Sequence, residues 1–200
     1  MDSVATKGPV AFYDNDIRGF GKAEILGPEG KVHFVYIPLS LDGFARFLPF
    51  YRREAEIKKF GGMPFSIDAD KVQSIKLNGQ YYEHMILKGK RKHILARRLT
   101  RGPVELFCYT EIYERMGKDG LPLGWGSRTV PYWYLRRPGQ ELVAVDRIEF
   151  IAQMTHYFHD NREIVAALKQ RKVGYQDMVA VVDGYNEFLT RPVANPSEAN

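Results

Sequence analysis

The rhythm of apolar side chains changes near residue 146, and that change limits the fold more than any other feature of the chain. Upstream, apolar and polar positions alternate with a period of two. In Val104–Glu114, Val104, Leu106, Cys108 and Ile112 share one face, while Glu105, Phe107, Tyr109, Glu111 and Tyr113 share the other. That is the period of a strand. Downstream, Ile148, Ile151, Met154 and Phe158 recur at helical spacing, with Glu149, Gln153 and His156 opposite. Strands first and helices last predict an α+β fold. It is expected to hold a mainly antiparallel sheet or a partly open barrel over residues 10–146, then about three helices packed on it. Short turn signals between the strands exclude a doubly wound parallel sheet, whose crossovers would each need a helix.

Those turn signals sort the strands into hairpins. Ile17–Leu26 and Val32–Ile37 flank Gly27-Pro28-Glu29-Gly30, and the unbroken apolar and aromatic run of the second segment predicts a buried strand. Lys71–Leu77 and Tyr81–Leu87 flank Asn78-Gly79, the preferred pair for a type I′ turn because both positions need positive φ. His93–Leu99 pairs with Val104–Glu114 across Arg101-Gly102-Pro103, and Tyr132–Arg137 with Glu141–Val145 across Pro138-Gly139-Gln140. Residues 40–62 resist assignment: Phe44, Phe47, Leu48 and Tyr51 have helical spacing, but Pro49 interrupts it.

Among the helices, Asp160 followed by Glu163 predicts a capping box opening a second helix with Ile164, Val165 and Leu168. Lys169, Arg171 and Lys172 suit its negative end, and Gly174 suits the C′ position. A third helix is expected from about Gln176, with Met178, Val182, Tyr185 and Leu189 on one stripe and Pro192 ending it. One domain over residues 10–190 is therefore expected, between flexible tails at 1–9 and 191–200.

Composition narrows the function classes. The 200 residues are 44% hydrophobic and 26% charged, with a net charge of +5. That bias permits a polyanionic partner without selecting one. Cys108 is the sole cysteine, so an intrachain disulfide, a multi-cysteine zinc site and a CxxC redox motif are excluded. Its apolar alternation partners make it a buried small hydrophobe. No run approaches 18 apolar residues, so no transmembrane helix is expected. Met1–Gly8 lacks the apolar core of a signal peptide.

Two segments stand out as contact elements. Lys88, Lys90, Arg91, Lys92, Arg97, Arg98 and Arg101 occur with no acidic residue between Lys88 and Arg101. Such a cluster can neutralise phosphates or an acidic glycan, or simply keep an edge strand from pairing with other edges. Glu105, Glu111 and Glu114 stand near enough in sequence to neutralise part of it. The loop Gly117–Pro131 carries four glycines and two prolines, with Trp125 at its middle. An aromatic at a loop tip is either a contact residue or folded back on the sheet. His156 and His159, followed by Asp160, have a spacing that can ligate a metal, but no third ligand is evident in the sequence. No Walker loop, nucleophile elbow or His-Glu-x-x-His is present. No catalytic residue and no cofactor is therefore assigned.

Four stretches, taken in order, resemble a family of uncharacterised, usually exported β-rich proteins of Bacteroidota. Asp14-Asn15-Asp16-Ile17-Arg18-Gly19-Phe20 is similar to its early strand. Phe65 to Ile75, with Asn78-Gly79-Gln80-Tyr81-Tyr82, is similar to its central segment. Leu99 to Phe107 is similar to a later strand. Phe158-His159-Asp160, Asp177 and Tyr185-Asn186 are similar to its closing helices. The resemblance spans most of residues 14–188. It implies a β-rich body with C-terminal helices and a place in the periplasm or cell envelope, and it supplies no catalytic residues. The missing signal peptide and the 117–131 loop depart from the family's pattern.

The resulting expectation is a non-enzymatic binding or structural module of the cell envelope that meets a protein or polyanionic glycan through residues 88–101 and Trp125. Nucleic-acid binding by the same basic segment is the alternative, and metal-assisted hydrolysis through His156 and His159 a second one.

Overall fold

The computed structural model describes residues 19–44, 46–57, 62–87, 92–113 and 128–191, with Lys92 described by its backbone alone. The fold is α+β. Eight strands form an open sheet in the order β10-β9-β8-β7-β6-β5-β1-β2. They are β1 (Phe20–Leu26), β2 (Val32–Pro38), β5 (Ser74–Leu77), β6 (Gln80–Leu87), β7 (Lys92–Thr100), β8 (Glu105–Tyr113), β9 (Arg128–Arg136) and β10 (Val143–Ala144). The pairings β1–β2, β1–β5, β5–β6, β6–β7 and β9–β10 are antiparallel. A second, two-stranded sheet joins β3 (Phe47–Phe50) to β4 (Phe65–Asp68). The helices are the one-turn α1 (Glu54–Ile57), then α2 (Phe150–Tyr157), α3 (Arg162–Lys169) and α4 (Met178–Thr190) near the C-terminus.

The unassigned 40–62 stretch thus contributes β3 and α1. Pro49 is tolerated because it sits in a short two-stranded sheet, opposite Ser66. The residues between β8 and β9 also differ from expectation. Arg128–Pro131, read from sequence as the end of a loop, already belong to β9.

By proximity the described backbone divides into two compact units, one drawn from residues 1–98 and 109–131 and the other from residues 99–108 and 132–200. In the first unit, Asn78 and Gly79 have φ of 49° and 75°, so the β5–β6 connection has the positive-φ pair its sequence predicts. This turn sets the register Ile75↔Tyr82 and Leu77↔Gln80. Ile25 then stands opposite Ile75, and Ala23 opposite Leu77. Their shared face, with Val35, Ile37, Leu95, Leu41 and the β3–β4 residues Leu48, Phe50 and Ile67, is one hydrophobic core.

β2 is only half buried, contrary to the reading of its sequence as a buried strand. Val35 and Ile37 enter the core, whereas Val32 and Phe34 are exposed. β2 lies at the edge of the sheet, and its second face is left open in part. Along its outer edge the Tyr36 N–H and C=O both bond to Tyr51, each at 2.8 Å.

The second unit buries Val104, Leu106, Cys108, Trp133 and Leu135 against Phe150, Met154, Phe158, Leu168, Met178, Val182 and Tyr185. Three helix signals shift from their predicted places. Ile148 precedes α2 and is 92% exposed, while Phe150 takes the buried position. Asp146 Oδ1 accepts from the N–H groups of Ile148 and Glu149, which orders the residues just before α2. Asn161, not Asp160, caps α3, its Oδ1 accepting from Ile164 N–H at 3.0 Å. Asp160 is instead drawn to Tyr185, whose hydroxyl donates to its two carboxylate oxygens at 2.6 and 2.8 Å. The C′ position of α3 is Arg171, with φ of 55°, and not Gly174. Lys172 N–H bonds Ala167 C=O and Arg171 N–H bonds Leu168 C=O, the two bonds of a Schellman end. Gly174 instead precedes the 3-10 turn Tyr175–Asp177, and its N–H bonds the Asp177 carboxylate.

Two polar contacts fasten α4. The buried Asn186 side chain accepts from Val104 N–H and donates to Val104 C=O, both at 2.8 Å. Arg137 Nη2 donates to the Tyr157 carbonyl at 3.0 Å and to the Tyr185 hydroxyl at 2.8 Å, with its guanidinium over both rings. Burial and then the Asp160 hydrogen bond push the Tyr185 hydroxyl above its ordinary pKa. It therefore stays protonated at neutral pH and acts as the donor.

Asn186→Ala is expected to lower stability by roughly 2–4 kcal/mol in urea denaturation, because it orphans both groups of a buried peptide unit. A loss under about 0.5 kcal/mol would show that Val104 finds other partners. Arg171→Gly is expected to raise stability by roughly 0.5–1 kcal/mol in the same measurement, since glycine adopts positive φ without a Cβ clash. A destabilised glycine variant would mean that the arginine side chain outweighs its backbone strain.

Candidate functional site

The sequence places its basic cluster on one segment; the strand separates it. Lys88, Lys90, Arg91 and Trp125 lie outside the described residues. Lys92 enters β7 opposite Leu87. Arg97 and Arg98 are successive strand residues and so point to opposite faces. Arg97 stands opposite the buried Tyr82, whose hydroxyl donates to Gln80 Oε1 at 2.6 Å. Burial pushes that hydroxyl above its ordinary pKa, and the charge of Arg97 opposes the shift. Arg98 stands opposite Tyr81 on the other face, its guanidinium 4.3 Å from the ring centroid. Arg101 is exposed in the turn after β7 and belongs to the second unit. Glu105, a candidate to neutralise the basic segment, instead receives Arg136 Nε and Nη2 at 2.9 and 2.7 Å.

Arg98 leads to a row of side chains that the sequence reading missed. On the outer face of the first unit's sheet, the register aligns Phe34 with Glu24, Glu24 with Lys76, Lys76 with Tyr81, and Tyr81 with Arg98. Adjacent strands lie about 4.8 Å apart, so this line crosses roughly 19 Å of surface. Lys76 Nζ bonds Glu24 at 2.8 Å, and Lys22 Nζ stands 5.5 Å above the Phe34 ring. Glu83 takes a 3.4 Å hydrogen bond from Tyr81. Phe34 is 62% exposed and Val32 beside it 48% exposed. Exposed ion pairs of this kind contribute about 0–1 kcal/mol to stability. The row is a poor investment as fold support and a good contact surface: two rings, an aliphatic side chain and charges of both signs. The signal was present in the sequence. Val35 and Ile37 on one parity leave Phe34 and Tyr36 on the other, facing Glu24 and Lys22.

The chain matches no protein-family model, no curated protein and no solved structure. The Bacteroidota resemblance accordingly rests on the sequence motifs alone.

His156 and His159 come close, their rings 6.3 Å apart between centroids, and both are exposed. His159 Nδ1 is engaged with the His156 carbonyl at 3.0 Å. The neighbouring Asp160 carboxylate is held by Tyr185. Among the described residues no group of three or more His, Cys, Asp or Glu is arranged to hold a metal ion. Cys108 is buried in the core of the second unit. Among the described residues, no helix is long and apolar enough to cross a membrane.

The division of the two arginines is testable. Arg98→Glu is expected to cost no more than about 1 kcal/mol, the worth of its contact with the Tyr81 ring. Arg97→Glu puts a carboxylate beside buried Tyr82 and near Asp42, and is expected to cost roughly 1–2 kcal/mol. Thermal melts in which Arg98→Glu is the more damaging variant would reverse the assignment of faces.

Proposed function

We propose that this chain is a non-enzymatic binding module whose partner is a protein, met by the outer sheet face of the first unit. The observation that carries the reading is the straight row Phe34, Glu24, Lys76, Tyr81 and Arg98 on five adjacent strands. Aromatic residues and arginine are the side chains that most often anchor protein interfaces. A fixed sheet presents them with little conformational freedom left to lose on binding. The charges decide among partner classes. Lys22, Lys76 and Arg98 are interleaved with Glu24 and Glu83, so the face is almost balanced. A polyanionic glycan or a nucleic acid would bring its charges onto both carboxylates, whereas a protein surface can answer each sign in place. An envelope setting is supported by the motif resemblance alone.

The test starts with affinity purification from the source cells, using the wild-type chain and Phe34→Ser as baits. A protein enriched by wild type alone is identified, purified and titrated against both and against Arg98→Glu. Each variant is expected to weaken the purified complex at least about tenfold, near 1.4 kcal/mol, while His156→Ala binds as wild type. Equal binding by all variants would overturn the assignment of this face. Absence of any enriched protein, with steeply salt-dependent retention on heparin or single-stranded DNA, would overturn the protein reading in favour of a polyanion.

A further inference from the structure

The β6–β7 hairpin of the first unit carries two histidines diagonal to one another. His84 stands opposite Leu95, and His93 opposite Ile86, so both rings lie on the core side of the sheet. The rings meet edge to edge and nearly coplanar, with centroids 5.0 Å apart and an interplanar angle of 18°. His84 Nε2 and His93 Nδ1 are 2.8 Å apart. One metal ion bound tetrahedrally to both nitrogens would hold them about 3.3 Å apart, given bonds of roughly 2.05 Å. The observed separation is that of a hydrogen bond, with an N–H on one ring and a lone pair on the other.

We propose that the His84–His93 hydrogen bond is a pH-operated latch that clasps β6 to β7 at neutral pH and opens when the second ring takes a proton. The chemistry is forced by the valence of imidazole. A neutral pair has one donor and one acceptor across the contact. A singly charged pair keeps that bond and strengthens it. A doubly charged pair has a proton on each facing nitrogen, no acceptor, and two like charges on rings whose facing nitrogens are 2.8 Å apart.

The surroundings bear on when that second proton arrives. His93 faces His84 from β7. Asp70, in the 3-10 turn after β4, and Asp68, at the end of β4, act on His84 from the other side and favour its charged form. Asp68 is itself engaged by Arg46 at 3.2 Å. Burial, followed by the charge of His93, outweighs the two carboxylates and holds His84 below the ordinary histidine range. Folded His84 therefore takes up its proton less readily than the same ring in the unfolded chain. The stability it supplies is present above the unfolded pKa and is lost as pH falls through the folded one.

Ring NMR of the full chain tests the latch. In the wild type His84 is expected to gain its proton at least about 0.5 pH unit lower than in His93→Gln, which removes the like charge and keeps a polar partner. The fall in melting temperature between pH 7.5 and 5 is expected to flatten in that variant. Hydrogen exchange of the wild type reads the opening directly, and serves should His93→Gln fail to fold. The Met85–Leu87 amides, corrected for intrinsic exchange, are expected to exchange at least about tenfold faster at pH 5 than at pH 7.5, with Ile25 and Ile75 little changed. Identical His84 titration in both chains, or a uniform loss of protection across the unit, would overturn the proposal.

Discussion

The positive-φ pair Asn78-Gly79 is the constraint on which the first unit depends. A two-residue turn leaves no slack: with Leu77 opposite Gln80, Ile75 must stand opposite Tyr82. Because side chains alternate along a strand, a slip of one residue would send Ile75 and Leu77 to the outer face and bring Lys76 inward. The same turn thus fixes the buried core and the composition of the outward row. Neither surface can be altered in register without the other, which is why a core residue such as Tyr82 and an outward one such as Tyr81 have one common cause.

In the second unit the burden falls on polar contacts. Tyr185 is fully buried, yet its hydroxyl joins Arg137 to Asp160. Asn186, its neighbour, reads the backbone of Val104 from both sides. Gly102 lies so close that a Cβ there would meet Asn186 Nδ2 at 2.8 Å. Hydrophobic burial brings α4 to the strands, but it is non-directional. The directional bonds of Tyr185 and Asn186 choose the rotation and height of the helix, since a buried group left unpaired costs more than a made bond gives.

Local signals were legible where one residue type answers one backbone need. Asn78-Gly79 gave its turn, the alternation of Val104–Tyr113 gave a strand, and the order of strands before helices gave the class. Signals that depend on distant partners were not. Asp160 has the right spacing for a capping box, but a tyrosine 25 residues onward outbids the helix for its carboxylate. Arg171 adopts a conformation that composition assigns to glycine, because the two bonds ending α3 hold it there. The basic cluster looked continuous because sequence proximity ignores the pleat, which separates Arg97 from Arg98 by the thickness of the sheet. The outer row was overlooked for the converse reason. Its members come from five strands and are neighbours only across hydrogen bonds.

The doubly bonded Tyr36 and Tyr51 have a bearing on how this sheet can grow. An edge strand ordinarily exposes a ladder of backbone groups that another chain can extend without limit. Here the chain's own segment occupies the outer rim at Tyr36, and among the described residues only the Val32–Phe34 stretch faces outward beyond it. A rim that short can be gripped over two or three residues, but it offers no template for an endless ribbon. The β2 edge can therefore carry Val32 and Phe34 with much of the usual hazard of strand-by-strand extension removed.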